Sequence, residues 1–263
     1  MGDEKLDIAS IGIGLAAGLF ISMLLAIEFG RRLGVKNQQD GQKSDNTAAG
    51  LIDGAIFGLM GLLIAFTFSG AASRLDHRRD LVISEANAIG TAYLRLNLLP
   101  ADSQPPLRGL FKEYLDARLE AFQKLPDMAA AEAGLLRANQ LQSQIWPMAV
   151  EACQASGSVP ATTLLLAALN EMFDMATLRT ATSRVMHPPA VIFAMLFLLA
   201  LLSSFLAGYS MGNNPNSNRF HAFGFAAIVA VTVYVILDIE YPRAGFIRVD
   251  AVDQVLIDLR NSM

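Results

Sequence analysis

The chain has 263 residues, 53% of them hydrophobic and 17% charged, with a net charge of −4. That balance is too apolar for an ordinary soluble domain, and no Lys/Arg-rich block is long enough to neutralise a phosphate backbone, so a membrane protein is expected and nucleic-acid binding is set aside. The single cysteine, Cys153, excludes an intramolecular disulfide and any cysteine-cage metal site.

In chain order, the first apolar stretch covers about 8–30. It follows the acidic "MGDEKLD" and is too long for the apolar core of a signal peptide, so it reads as a retained span. Leu6 stands where a myristoylation motif needs Ser or Thr, which argues against a lipid anchor. Three further stretches, about 51–72, 189–211 and 221–239, also reach the roughly 20 apolar residues that cross a ~30 Å hydrocarbon layer. Their few charges, Glu28, Asp53 and Asp238, sit near ends, where Asp53 is expected to face water or to cap the helix.

Past the second span, Val82, Ala86, Ile89, Tyr93 and Leu96 recur at spacings of four and three, so that helix is expected to continue well beyond the membrane until Pro100 ends it. Leu107, Leu110, Phe111, Tyr114, Leu115 and Leu119 mark an amphipathic helix over about 105–124; two more are expected over 129–155 and 160–186. "HPP" at 187–189 breaks the chain where the third span begins, because proline lacks a donor and restricts its predecessor. The uncharged "GNNPNSN" reads as a short hairpin loop between the last two spans, and Val252, Val255, Leu256 and Leu259 predict a short amphipathic tail helix.

The expected architecture is an all-α membrane protein with four transmembrane helices and a cytosolic helical bundle inserted between the second and third spans. Its segments are a first transmembrane pair (1–72), a helical domain continuous with the second span (73–187), a second transmembrane pair (188–241) and a tail (242–263). Four spans put both termini and the long insertion on one side. That side carries Lys5, Arg74, Arg78, Arg79, Arg179, Arg184, Arg243 and Arg248 against Arg31, Arg32, Lys36, Lys43 and Arg219 opposite, which favours cytoplasmic termini.

Catalysis finds no support in the residue pattern. His77, His187 and His221 are scattered, no metal-ligand spacing or nucleophile elbow is present, and the spans offer few acids. No enzyme activity, metal or cofactor is expected.

The second span carries more information. Gly50, Gly54 and Gly58 repeat every four residues, with Gly61, Ala65 and Ser69 continuing a narrow stripe. Two readings stand side by side: helix packing within one subunit, or crowding of this helix around an axis by copies of itself. Phe57, Gly61, Ile64 and Phe68 recur at four, three and four, and a ring of them could form an apolar constriction; equally they could face lipid or the bundle core. Arg74, His77, Arg78 and Arg79 follow. They are either ordinary membrane flanking charges or, multiplied in an oligomer, a positive pore mouth that concentrates anions. Glu85, seven residues after Arg78, could stack with it on one side of the helix, a solvated pair worth well under ~1 kcal/mol and expected to be structural unless it sits at a subunit boundary.

Three stretches, "FTFSGAASRLDHRRDLVISEANAIGTAYLRLNLLP", "LNEMFDMATLRTATSRVMHPP" and "LDIEYPRAGFIRV", together resemble the bacterial bestrophin-like family, long regarded as a domain of unknown function, over nearly the whole chain. The likeness to true bestrophins, pentameric anion channels with four spans and a helical cytosolic region, is more distant. In "ASRLDHRR", Arg74 and Arg79 resemble two arginines that follow the bestrophin pore neck, and in "IEYPRAG" Pro242 matches their Pro-Phe-Gly segment with Gly245 displaced by two. The Phe-Arg-Asn element before the first arginine is absent, Ser73 and Leu75 replace aromatic neighbours, and the acidic calcium clasp has no counterpart, so calcium activation is not implied. The resemblance implies a homo-oligomer, pentameric by analogy, in the bacterial inner membrane, passing small anions of the chloride or bicarbonate class. Its competitors are a non-conducting membrane scaffold or sensor that docks a partner, and a proton-driven stator subunit, for which Thr67 offers a hydroxyl on the second span.

Overall fold

The computed structural model describes residues 3–39, 46–125, 127–212, 219–242, 246–247 and 250–263. They form α1 (Asp3–Gln39), α2 (Asn46–Arg95), α3 (Gln104–Gln123), α4 (Met128–Ser156), α5 (Val159–Val185), α6 (Ala190–Gly212), α7 (Arg219–Glu240) and α8 (Asp250–Ser262), with two short 3-10 turns after α2 and no strand among the described residues. Four stretches, Ser10–Gln39, Gly50–Leu98, Val159–Gly212 and Arg219–Glu240, contain helix long and apolar enough to cross a membrane. The third takes its apolar run from α6. This is a multi-pass membrane protein.

Local chemistry sets the boundaries. Leu99 turns extended before Pro100, which ends the α2 segment. Pro105 and Pro106 stand at the start of α3, where a missing N–H costs nothing. Asp127 caps α4 by accepting from the Ala130 N–H at 2.9 Å, and Ser158 accepts from Ala161 N–H at the start of α5. Between them Gly157, at φ +62°, takes the left-handed conformation that closes α4. The chain between Val185 and Ala190 is not helical, as its two prolines require.

The chain divides into two compact units. The apolar unit comprises Leu6–Ser73 and His187–Tyr241. Leu19, Met23 and Ile27 from α1, Met60 from α2, Leu196 and Ala200 from α6, and Ala226, Val229 and Val233 from α7 form its core. Its tightest contact lies between α1 and α6. A Cβ on Gly208 would come 2.0 Å from the Ile27 carbonyl oxygen, and one on Gly30 2.1 Å from that of Phe205. Gly34 and Gly212 meet one turn further on, each 2.4 Å from an opposing carbonyl oxygen on the same measure. The two backbones touch because neither carries a side chain there, the way helices gain dispersion in a lipid environment. The Asn37 amide donates to the Tyr209 hydroxyl at 2.9 Å across the same pair.

The second unit comprises Met1–Lys5, Arg74–Met186 and Pro242–Met263. Its core joins the lower half of α2 (Val82, Ile89) and Leu96 of the 3-10 turn after it to α3 (Leu107, Phe111, Tyr114, Leu115), α4 (Ile145, Ala149), α5 (Leu165, Leu169, Met172) and Leu256 of α8. Burial pushes the Tyr114 phenol up to about 12, and its hydroxyl accepts from Gln142 at 3.2 Å. Buried Cys153 packs among these residues as a small apolar group.

Gly208→Ala should force the α1 and α6 backbones apart, costing about 1–3 kcal/mol as an overpacked contact does, and lower the thermal midpoint of the purified protein. Gly14→Ala, where an added Cβ meets nothing within 4 Å, should leave the midpoint unchanged or slightly raised.

Candidate functional site

Helix α2 is 50 residues long, about 75 Å at 1.5 Å per residue. It runs unbroken from the apolar stretch through the basic cluster to Arg95. Within the apolar stretch, Met60, Thr67 and Ala71 are buried, with half-buried Phe57 and Ile64 beside them. Phe57 makes an edge-on contact with Phe225 of α7, ring centroids 5.7 Å apart, and Ile64 packs on the core of the apolar unit. The Thr67 hydroxyl is spent on the Leu63 carbonyl at 2.7 Å.

Gly61 and Phe68 lie elsewhere. Both are exposed, on a face with Gly50, Gly54, Gly58, Ala65 and Ser69, and a Cβ built on any of those four glycines meets nothing within 4 Å. Of the four candidate constriction residues, the protomer thus holds Phe57 and Ile64 against its own core and presents Gly61 and Phe68 outward. In the apolar unit, the described glycines that bring backbone against backbone are Gly30, Gly34, Gly208 and Gly212, which the four-residue stripe on α2 did not announce.

Six residues beyond Phe68, about 9 Å along the axis, comes Arg74, half-buried, then exposed His77 and half-buried Arg78 and Arg79. Arg78 donates to the Met186 carbonyl at 3.0 Å, and Arg79 pairs with Asp76 at 3.3 Å. Asp53 stands two turns inside α2 and is half-buried, so it does not cap the helix.

The expected pair of Arg78 and Glu85 does not form. Glu85 points into the second unit, fully buried, where Arg118 Nε of α3 donates to Oε1 and Arg179 Nη1 of α5 to Oε2, each at 2.6 Å. Arg118 also donates to the Thr180 hydroxyl (3.2 Å) and the Ala176 carbonyl (3.3 Å), and Arg179 reaches Asp253 of α8 at 3.4 Å. The Arg179 guanidinium lies 3.7 Å from the centroid of the Phe122 ring. Burial pushes Arg179 below the ordinary arginine range, opposed chiefly by the charge of Glu85. A solvated pair was the simplest guess from spacing; desolvation of a carboxylate demands two cations instead, and α3 and α5 bring them. Arg179 is consequently a core residue and drops out of the flanking charges that orient the spans. Lys5, Lys43, Arg243, Gly245 and Arg248 lie outside the residues whose side chains are described.

Among the described residues no cluster of His, Cys, Asp or Glu fits a metal ion. The geometry that stands out is a long helix with a bare, small-residue face, exposed Phe68 beside it, and a basic turn beyond it.

The Bestrophin-like domain family matches residues 15–253. The chain belongs to the bestrophin-like family. No curated protein matches it in sequence. In fold it is similar to crystal structures of a bacterial bestrophin homologue from Klebsiella pneumoniae. One point mutant of that homologue superposes with a TM-score of 0.67 at 15% identity, over 92% of this chain and 98% of the other. Another of its crystal structures gives 0.61 at 16% identity, over the same shares. At that identity these matches show the fold alone. Family and fold together support a channel-type membrane protein and indicate no relation to an enzyme.

Glu85→Gln should lower stability by about 3–5 kcal/mol, the usual consequence of leaving buried charges uncompensated, read as a fall in the thermal midpoint. Arg137→Gln, which gives up an exposed pair with Glu113, should cost far less.

Proposed function

We propose that the chain forms a homo-oligomeric channel, pentameric by resemblance, that passes small anions of the chloride or bicarbonate class along an axis lined by α2. The observation that carries this reading is the exposed face of α2. Among the described residues nothing stands within 4 Å of a Cβ built on Gly50, Gly54, Gly58 or Gly61, and Phe68 is exposed beside them, as suits a helix surrounded by copies of itself. Phe68 narrows the path, with Gly61 on the same face; a ring of such side chains excludes water and gates by dewetting. Behind it Phe57 holds α2 on α7 and Ile64 packs on the core of the apolar unit.

Beyond the constriction, Arg74 and Arg78 supply the attraction for anions. Arg78 donates to the Met186 carbonyl, and Arg79 pairs with Asp76 on the next turn. Repeated around an axis, these charges make a positive vestibule. In this reading the helical unit lies in the cytoplasm, both termini with it, and the spans lie in the bacterial inner membrane.

The test is anion efflux from liposomes containing the verified oligomer. Phe68→Ala should raise flux severalfold by widening the narrowest ring. Arg74→Glu and Arg79→Glu should each shift the reversal potential toward cations. A purified monomer, or silent vesicles holding intact oligomers, would contradict the proposal.

A further inference from the structure

Helix α1 is longer than the membrane is thick. Its 37 residues extend about 55 Å at 1.5 Å per residue, against ~30 Å of hydrocarbon, and its apolar stretch ends near residue 30. The part beyond is held in place: Gly34 lies against Gly212, and the Asn37 amide donates to the Tyr209 hydroxyl at 2.9 Å. Arg31, Arg32 and Lys36 on this extension run against the cation bias that orients the spans, and the channel reading does not use them.

The three cations are not equivalent. Glu28 accepts from Arg31 Nε at 3.0 Å and Nη2 at 2.9 Å, which occupies one edge of that half-buried guanidinium. It accepts from Arg32 through Nε alone, at 3.0 Å, and the Arg32 side chain is 75% exposed. Lys36 is exposed one turn further on. Three cations against one carboxylate leave the cluster positive.

Leu25, Phe29, Arg32 and Lys36 follow one another at spacings of four, three and four, on one exposed side of α1. The Phe29 ring stands 6.0 Å from that of Phe205, so the apolar strip broadens onto α6 just below the cations. Arg32 and Lys36 lie about 5 and 10 Å beyond Phe29 along the axis. Helical side chains lean toward the N-terminus, which here is back toward the bilayer, so both reach the headgroup layer.

We propose that this side of α1 is a binding site for an anionic glycerophospholipid, its acyl chains along Leu25 and Phe29 and its phosphate between Arg32 and Lys36. The free end of the arginine fork takes two phosphate oxygens, and Lys36 supplies a second positive charge. Glu28 positions the fork by holding its Nε. A free phosphate lacks the chains that the apolar strip receives, and a zwitterionic lipid carries an ammonium that offsets its phosphate. The site rests on the membrane span and not on the channel reading.

Quenching by brominated lipids tests it. In full-length Trp146→Phe protein, which lacks the chain's single tryptophan, Phe29→Trp puts a fluorophore on the strip. Leu198→Trp puts one on exposed α6 surface two turns before Phe205. Each is reconstituted in mixtures of phosphatidylglycerol and phosphatidylcholine, with one or the other brominated. Phosphatidylglycerol should bind about fivefold more strongly than phosphatidylcholine beside the Phe29→Trp reporter and about equally beside Leu198→Trp. Arg32→Gln together with Lys36→Gln should bring the first ratio down to the second, and Lys36→Arg should preserve it. Leu25→Trp, on the same strip, repeats the reading where Phe29→Trp protein does not fold. Equal ratios at the two reporters, or a preference that survives the double glutamine variant, would overturn the proposal. So would a Phe29→Trp reporter that neither lipid quenches, which assigns the face to a protein contact.

Discussion

One buried carboxylate organises the helical half of this protein. Glu85 lies on α2 with no access to water, and its charge is met only where Arg118 of α3 and Arg179 of α5 converge on it at 2.6 Å each. An ionised group without water needs more than one partner, so the carboxylate dictates which helices surround α2 and at what height. Asp253 then balances the second arginine, and the cluster carries two positive and two negative groups. Apolar packing around Phe111, Tyr114 and Leu169 supplies bulk stability without choosing one register; the ion cluster supplies the register.

The apolar half solves a different problem. In a membrane, apolar side chains gain nothing by leaving lipid for one another, and close approach has to replace the hydrophobic effect. Gly30 and Gly34 of α1 against Gly208 and Gly212 of α6 provide it, with each missing side chain filled by an opposing carbonyl. Gly50, Gly54, Gly58 and Gly61 of α2 have the same composition and the opposite environment: among the described residues of the protomer nothing approaches them. That contrast gives the α2 face its meaning, because bare glycine surface with no neighbour is an invitation to another helix, and in the channel reading the other helices are copies of α2.

Much of the fold was legible from the amino-acid order. Runs of apolar residues longer than about 20 have few alternatives to spanning, and the four-and-three spacing from Val82 to Leu96 continued α2 past its basic turn as the structure has it. The tail helix and the break at His187–Pro188–Pro189 followed from equally local chemistry. What stayed hidden depends on residues far apart. Glu85 and its arginines are separated by 33 and 94 positions, so a pairing with Arg78, one face and two turns away, was the nearest candidate and the wrong one. The division of the phenylalanine stripe was hidden for a related reason: spacings of three and four put Phe57 and Phe68 on one broad face, but only the position of Phe225 decides which part of it the protomer covers.

The account stands on where the exposed face of α2 points in the assembled particle. A projection of the purified particle down its symmetry axis, at a resolution that separates helices, addresses this directly. The account predicts a ring of copies around a central hole, with the α2 helices innermost and Phe68 at the narrowest level. A particle with no axial hole, or one whose α2 helices lie on the lipid-facing rim, would contradict it.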